Sequence, residues 1–168
     1  MGNIELNTPV VWSGTAASMR RLPMPGGINA LGNALAIYGN QIAGSGGTEG
    51  VGGALIWNAE TLKYTILGQG IALDTNGVYQ VGYTAPSGNF RALRWSGTPG
   101  SELDLHQFLP GFRQSQASGI DEDGTIVGWG RDADNNARAI AWVPVPEPAT
   151  WLSLGIASLL LLVRRRRP

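Results

Sequence analysis

Two kinds of apolar stretch alternate along most of the chain. One runs apolar or alternating over strand length around a glycine, as in "NQIAGSG", "YQVGYT" and "TIVGWG". The other passes through alanine and leucine or isoleucine to a tryptophan, as in "GGALIW", "FRALRW" and "ARAIAW". Polar segments rich in turn formers punctuate them: "TAPSGNFR" (84–91), with Gly88 near its centre, and "RDADNNAR" (131–138). Asp and Asn side chains accept local backbone hydrogen bonds and glycine tolerates positive φ, so both predict hairpin loops. The same chemistry predicts turns at residues 74–77 and 121–124. No segment before Pro146 carries a 3.6-residue apolar period, so the expected body is all-β.

The stretches recur at a fixed offset. Gly44, Gly82 and Gly128 lie 13, 13 and 14 residues before Trp57, Trp95 and Trp142. Trp12, in "NTPVVWSGT", is a shorter echo, and the four tryptophans are 45, 38 and 47 residues apart. "SMRRLPMPGG" and "LDLHQFLPGF" separate units and share a Leu-Pro step followed by glycine. The implied units are a partial one over 1–27, full ones over 28–70 and 71–114, and a third over 115–143 that lacks its last strand. A unit of about 40 residues cannot bury both faces of its own sheet, so neighbours must stack, as propeller blades or solenoid turns do. A propeller usually needs at least four blades. Either the strand around Val10 to Trp12 and "MRRLP" complete the last unit and close a ring, or the array belongs to a longer gene product.

Beyond residue 143 the pattern changes. Pro146, Glu147 and Pro148 precede a run made of Trp151, Leu152, Leu154, Ile156, Leu159, Leu160, Leu161, Leu162 and Val163 with small residues between them. Arg164, Arg165, Arg166 and Arg167 follow. A helix over 149–163 would be roughly 22 Å long at ~1.5 Å per residue. That is short of a ~30 Å hydrocarbon core, and Trp151 at one interface with arginine stems snorkelling at the other makes up part of the difference. The run is apolar on every face, whereas a helix packed on one side shows a stripe, so a transmembrane helix is expected rather than a core helix. Each arginine would cost roughly 2.5–3.5 kcal/mol at the bilayer centre, so the four form a cytoplasmic basic tail by the positive-inside rule. The β-repeat domain (1–143) then lies on the far side of the inner membrane.

Composition narrows the function classes. The 168 residues include 25 glycines, 10 prolines and six tryptophans, with charged residues at 14% and a formal net charge of zero. The tail supplies four of the twelve basic residues, so the body is mildly acidic and lacks the clustered basic face that nucleic acid needs. There are no cysteines, which excludes disulfides and thiol chemistry. The start, "MGNIELNTPVVWSG", has neither the basic nor the apolar region of a secretory signal peptide, and Leu6 stands where myristoylation needs Ser or Thr.

Candidate chemistry in the body is sparse. His106, the single histidine, has no nucleophile at a recognisable spacing. The turns "DEDG" (121–124) and "DADNN" (132–136) offer oxygen ligands for Ca²⁺, but no glutamate stands at the twelfth position of an EF-hand loop, and turn formation accounts for both. Trp12, Trp57, Trp95 and Trp142 are expected in the core, and Trp129 nearer the surface. There is no phosphate-binding glycine loop and no G-x-S-x-G elbow. No enzyme, cofactor or metal site is expected.

Two resemblances add to this. "GIDEDGTIVGWGRDADNNARAIAW" (119–142) and "ALDTNGVYQVGYTAPSGNFRALRW" (72–95) resemble the HAF-type extracellular repeats of bacteria, with Leu or Ile in place of the usual Phe. The ordered Pro146-Glu147-Pro148, apolar span and arginine cluster resemble the PEP-CTERM sorting signal, here 144–168. That resemblance implies processing by an exosortase near the Pro-Glu-Pro segment, and transfer from the inner membrane to the surface or exterior of a Gram-negative bacterium. It further implies an association with biofilm and exopolysaccharide, making extracellular polysaccharide a candidate partner. The expected role is structural or adhesive; the alternative is a permanently tail-anchored envelope module that binds glycans.

Overall fold

The computed structural model describes residues 8–27, 30–48 and 51–145. The expected transmembrane helix over 149–163, the Pro-Glu-Pro triad and the arginine tail lie outside these residues. Among the described residues, no helix is long and apolar enough to cross a membrane.

The body is all-β, with short 3-10 turns at Ala16–Ser18 and Leu105–Phe108. A two-stranded ribbon pairs β1 (Val10–Val11) with β2 (Arg20–Arg21). A four-stranded antiparallel meander follows: β3 (Leu31–Tyr38), β4 (Gln41–Thr48), β5 (Val51–Asn58) and β6 (Tyr64–Gly68). The second meander repeats the order with β7 (Ile71–Thr75), β8 (Gln80–Thr84), β9 (Arg91–Trp95) and β10 (Leu103–Asp104). The third has three strands: β11 (Phe112–Ile120), β12 (Ile126–Asp132) and β13 (Ala137–Trp142). The sheets are open and do not close on themselves. The strand of Val10 and the "MRRLP" segment pair with each other and do not extend the third sheet, as ring closure would require.

The repeat glycine has a steric cause. The first strand of each meander carries a β-bulge, between Ala34 and Ala36, Ala72 and Asp74, and Ala117 and Gly119. Gly44, Gly82 and Gly128 sit opposite Ala34, Ala72 and Ala117 at the start of that irregularity. The bulge bends the strand and drives a carbonyl onto the facing position. A Cβ there would lie 2.0 Å from Asn33 O, 1.9 Å from Ile71 O and 1.9 Å from Gln116 O. The constant offset to tryptophan is a hairpin register: Gly44, Gly82 and Gly128 face Leu55, Leu93 and Ile140, each two positions before Trp57, Trp95 or Trp142.

Those tryptophans close the seams between sheets. Trp57, with Ile42 and Leu55, packs against Leu22 just after β2. Trp95, with Ala72 and Leu93, packs against Ala43, Ala54 and Leu67 of the first meander. Trp142 flanks the cluster in which Ala117 and Ile126 meet Val81, Ala92 and Leu105 of the second. Trp57 Nε1 donates to Pro23 O at 2.6 Å and Trp142 Nε1 to Leu105 O at 3.2 Å, whereas the buried Trp95 Nε1 has no partner. Each seam thus buries one face of a sheet against its neighbour. Trp12 departs from the core expectation and is 61% exposed, because among the described residues no sheet precedes its ribbon.

Polar bonds tie the sheets along the rim formed by the first turn of each meander. Asp74 Oδ2 accepts from Ile120 N–H at 2.9 Å, and Asn76 Nδ2 donates to Asp121 O at 2.9 Å. Gln41 Oε1 accepts from Thr75 Oγ1 at 2.5 Å and from buried Gln80 Nε2 at 2.7 Å. Tyr38 Oη, from the first sheet, donates to Glu122 Oε1 of the third at 3.2 Å, and that carboxylate raises the phenol's pKa.

Candidate functional site

The one histidine has a close partner that the sequence does not announce. Asp104 caps the 3-10 turn Leu105–Phe108 by accepting His106 N–H at 2.9 Å through Oδ1, while Arg91 Nη2 bridges Oδ2 at 2.5 Å. This fixes the His106 ring with Nδ1 2.8 Å from Ser115 Oγ. A serine beside an imidazole is the geometry of a nucleophile with its base. Here, however, Ser115 is fully buried, and Oγ accepts from Ala92 N–H at 3.0 Å. Burial, and then the Arg91 guanidinium, hold the imidazole below its ordinary pKa. Asp104 binds the backbone of His106 rather than its ring. The network joins β9, β11 and the 3-10 turn across a seam. Ser115 was not legible as a partner because nine residues and a β-turn separate it from His106.

The acidic turns direct their oxygens into their own backbone. Asp121 Oδ1 accepts from Thr125 N–H at 2.7 Å. Asp132 Oδ1 accepts from Asn136 N–H at 2.8 Å and Asp134 N–H at 3.1 Å, and Oδ2 pairs with Arg138 Nε at 3.2 Å. The Asn136 amide is the main reason the Asp132 carboxyl stays below its usual range. Among the described residues no three His, Cys, Asp or Glu side chains are grouped to hold a metal ion. Trp129 is half-covered, edge-on to Phe90 with ring centroids 6.0 Å apart.

The candidate signal lies where the chain leaves the β body. After β13, Val143, Pro144 and Val145 are all exposed. Pro144 passes the 121–125 turn, its Cγ 3.5 Å from where a Gly124 Cβ would stand. The segment leading to Pro146 is open to solvent, as a protease site must be.

Residues 144–167 match the family model of the PEP-CTERM protein-sorting motif. No curated protein and no solved structure matches the chain. The PEP-CTERM motif supports exosortase-dependent sorting, with membrane-associated passage followed by export to the surface or exterior. Its three parts divide the chemistry. Proline fixes φ and removes an amide donor, so Pro146 and Pro148 are poorly suited to a helix interior. The apolar residues 151–163 suit lipid, and the four arginines suit an aqueous, anionic surface. The match covers the tail alone and leaves the chemistry of the β body to be argued from its own residues.

Proposed function

We propose that the chain is a non-enzymatic β-repeat protein of the Gram-negative envelope or extracellular matrix, delivered by exosortase and serving a structural or adhesive role. The PEP-CTERM match at 144–167 carries this reading. In it, residues 149–163 cross the inner membrane transiently and residues 164–167 stay in the cytoplasm. Exosortase processes the chain near Pro146-Glu147-Pro148 and frees the repeat domain. The stacked meanders act as propeller-like blades of the HAF type, and extracellular polysaccharide is the partner class. Support from the body is its construction: a recurrent Gly–Trp hairpin and seams closed by tryptophan.

The test is cell fractionation in isogenic cells with and without exosortase. The proposal predicts the repeat domain at the surface or in the medium when exosortase is present. Without exosortase, the chain should collect in the inner membrane. A permanently anchored module would give the same membrane-bound distribution in both strains.

A further inference from the structure

We propose that the repeat domain self-associates head to tail, the exposed face of the third sheet docking on the exposed half, around Ala34, of the first sheet's outer face in a second copy. The chain's own seams are the template. In each seam the leading sheet offers two small or aliphatic residues from its middle strands: Ala43 and Ala54 in the first, Val81 and Ala92 in the second. The trailing sheet answers with the alanine that faces its repeat glycine, Ala72 or Ala117. All six residues are fully buried.

Register identifies the same positions where no neighbour stands. In the third sheet, Val127 precedes repeat Gly128 as Ala43 and Val81 precede theirs. Ala139, opposite Trp129, corresponds to Ala54 opposite Ser45 and to Ala92 opposite Tyr83. Both are exposed, Val127 by 51%. On the first sheet the alanine opposite the repeat glycine is Ala34, and it too is exposed. Around it lies an apolar groove of about 350 Å³ that includes Val11, Trp12, Leu35 and Ile37. Leu22 covers the other half of that face, over Ile42 and Trp57.

The exposed face of the third sheet and the exposed half of the first sheet's face around Ala34 therefore correspond to the leading and trailing halves of one kind of seam, built twice inside the chain. The residues named on both faces are apolar, and the nearby Arg131 on the leading face lies over the Trp129 ring. A second copy supplies both halves in the register the fold already uses. Because the faces differ, the contact is heterologous and extends to rings or filaments rather than stopping at a two-fold dimer.

The experiment uses the full chain in detergent micelles, with mass measured by light scattering over a concentration series. Wild type should form oligomers that grow with concentration. Val127→Glu removes the leading face and Ala34→Glu the trailing face, so each variant alone should be monomeric, with association weakened at least tenfold. Mixed, the two retain one good face each and should form a 1:1 dimer that grows no further. Near-UV circular dichroism checks that the variants keep their tryptophan packing, and Ala139→Glu is a second leading-face variant. A wild type that stays monomeric overturns the proposal, as does a mixture that gives no dimer. Oligomers that persist in both single variants would place the contact elsewhere, including on the C-terminal span.

Discussion

Gly82→Ala is expected to abolish cooperative folding of the repeat domain. The added methyl would lie 1.9 Å from Ile71 O and 3.1 Å from Leu73 N, both backbone atoms held in the ladder of β7 and β8. Neither can rotate away as a side-chain end could, so the strands must separate by more than an ångström beside the Ala72–Trp95 seam. Overpacking a well-filled core usually costs 1–3 kcal/mol, and a backbone collision that also opens a seam is expected to exceed about 4 kcal/mol. Against a typical stability of about 5–15 kcal/mol, that removes most or all of the folded state. Gly88→Ala is the matched control: Gly88 has φ +79° but nothing within 4 Å of an added Cβ, so only about 1 kcal/mol is at stake. In thermal unfolding, Gly88→Ala should melt a few degrees below wild type, and Gly82→Ala should show no cooperative transition. A Gly82→Ala protein within about 1 kcal/mol of wild type would mean that the bulge can relax, and the steric account of the repeat would fail.

The periodicity was legible because one steric constraint imposes it on every unit. A bulge that requires glycine, a hairpin that sets tryptophan two positions past its partner, and hairpins of nearly equal length leave a spacing of 13 or 14 residues even though the loop sequences differ. The all-β class followed from strand-length apolar runs broken by Asp, Asn and Gly turns. What the sequence could not show were relations across sheets. Trp12 shares the local pattern of Trp57, but a tryptophan is buried only if a sheet stands before it, and that is a property of the array. Ser115 meets His106 because β11 returns beside β9, which no local spacing encodes. Asp121 and Asp132 were legible as turn formers, since backbone partners lie within four residues, whereas Asp74 sits in β7 and accepts from Ile120 N–H of the third sheet.

Replacing Pro146, Glu147 and Pro148 together with alanine should leave the chain unprocessed and the repeat domain held at the inner membrane. The triad contributes two fixed φ angles and one carboxylate, directly after the exposed Val143 and Val145. Alanine restores helix propensity and an amide donor at each proline position, so the helix expected over 149–163 would be free to extend toward the repeat domain. Both the shape and the charge of the recognised segment are lost. The apolar run 151–163 and the arginines 164–167 are untouched, so the insertion energetics are unchanged. The expected phenotype is full membrane insertion with at least a tenfold loss of released domain, read by alkaline extraction and immunoblotting of the medium. Loss of insertion instead would show that the triad serves only to position the helix.

The most direct measurement is the mass of the mature C-terminus, taken on protein recovered from cells with active exosortase. Processing near Pro146-Glu147-Pro148 predicts a chain that ends close to the triad and lacks the apolar span and Arg164, Arg165, Arg166 and Arg167. A mature protein that retains its four arginines in those cells would contradict the account and make the tail a permanent anchor.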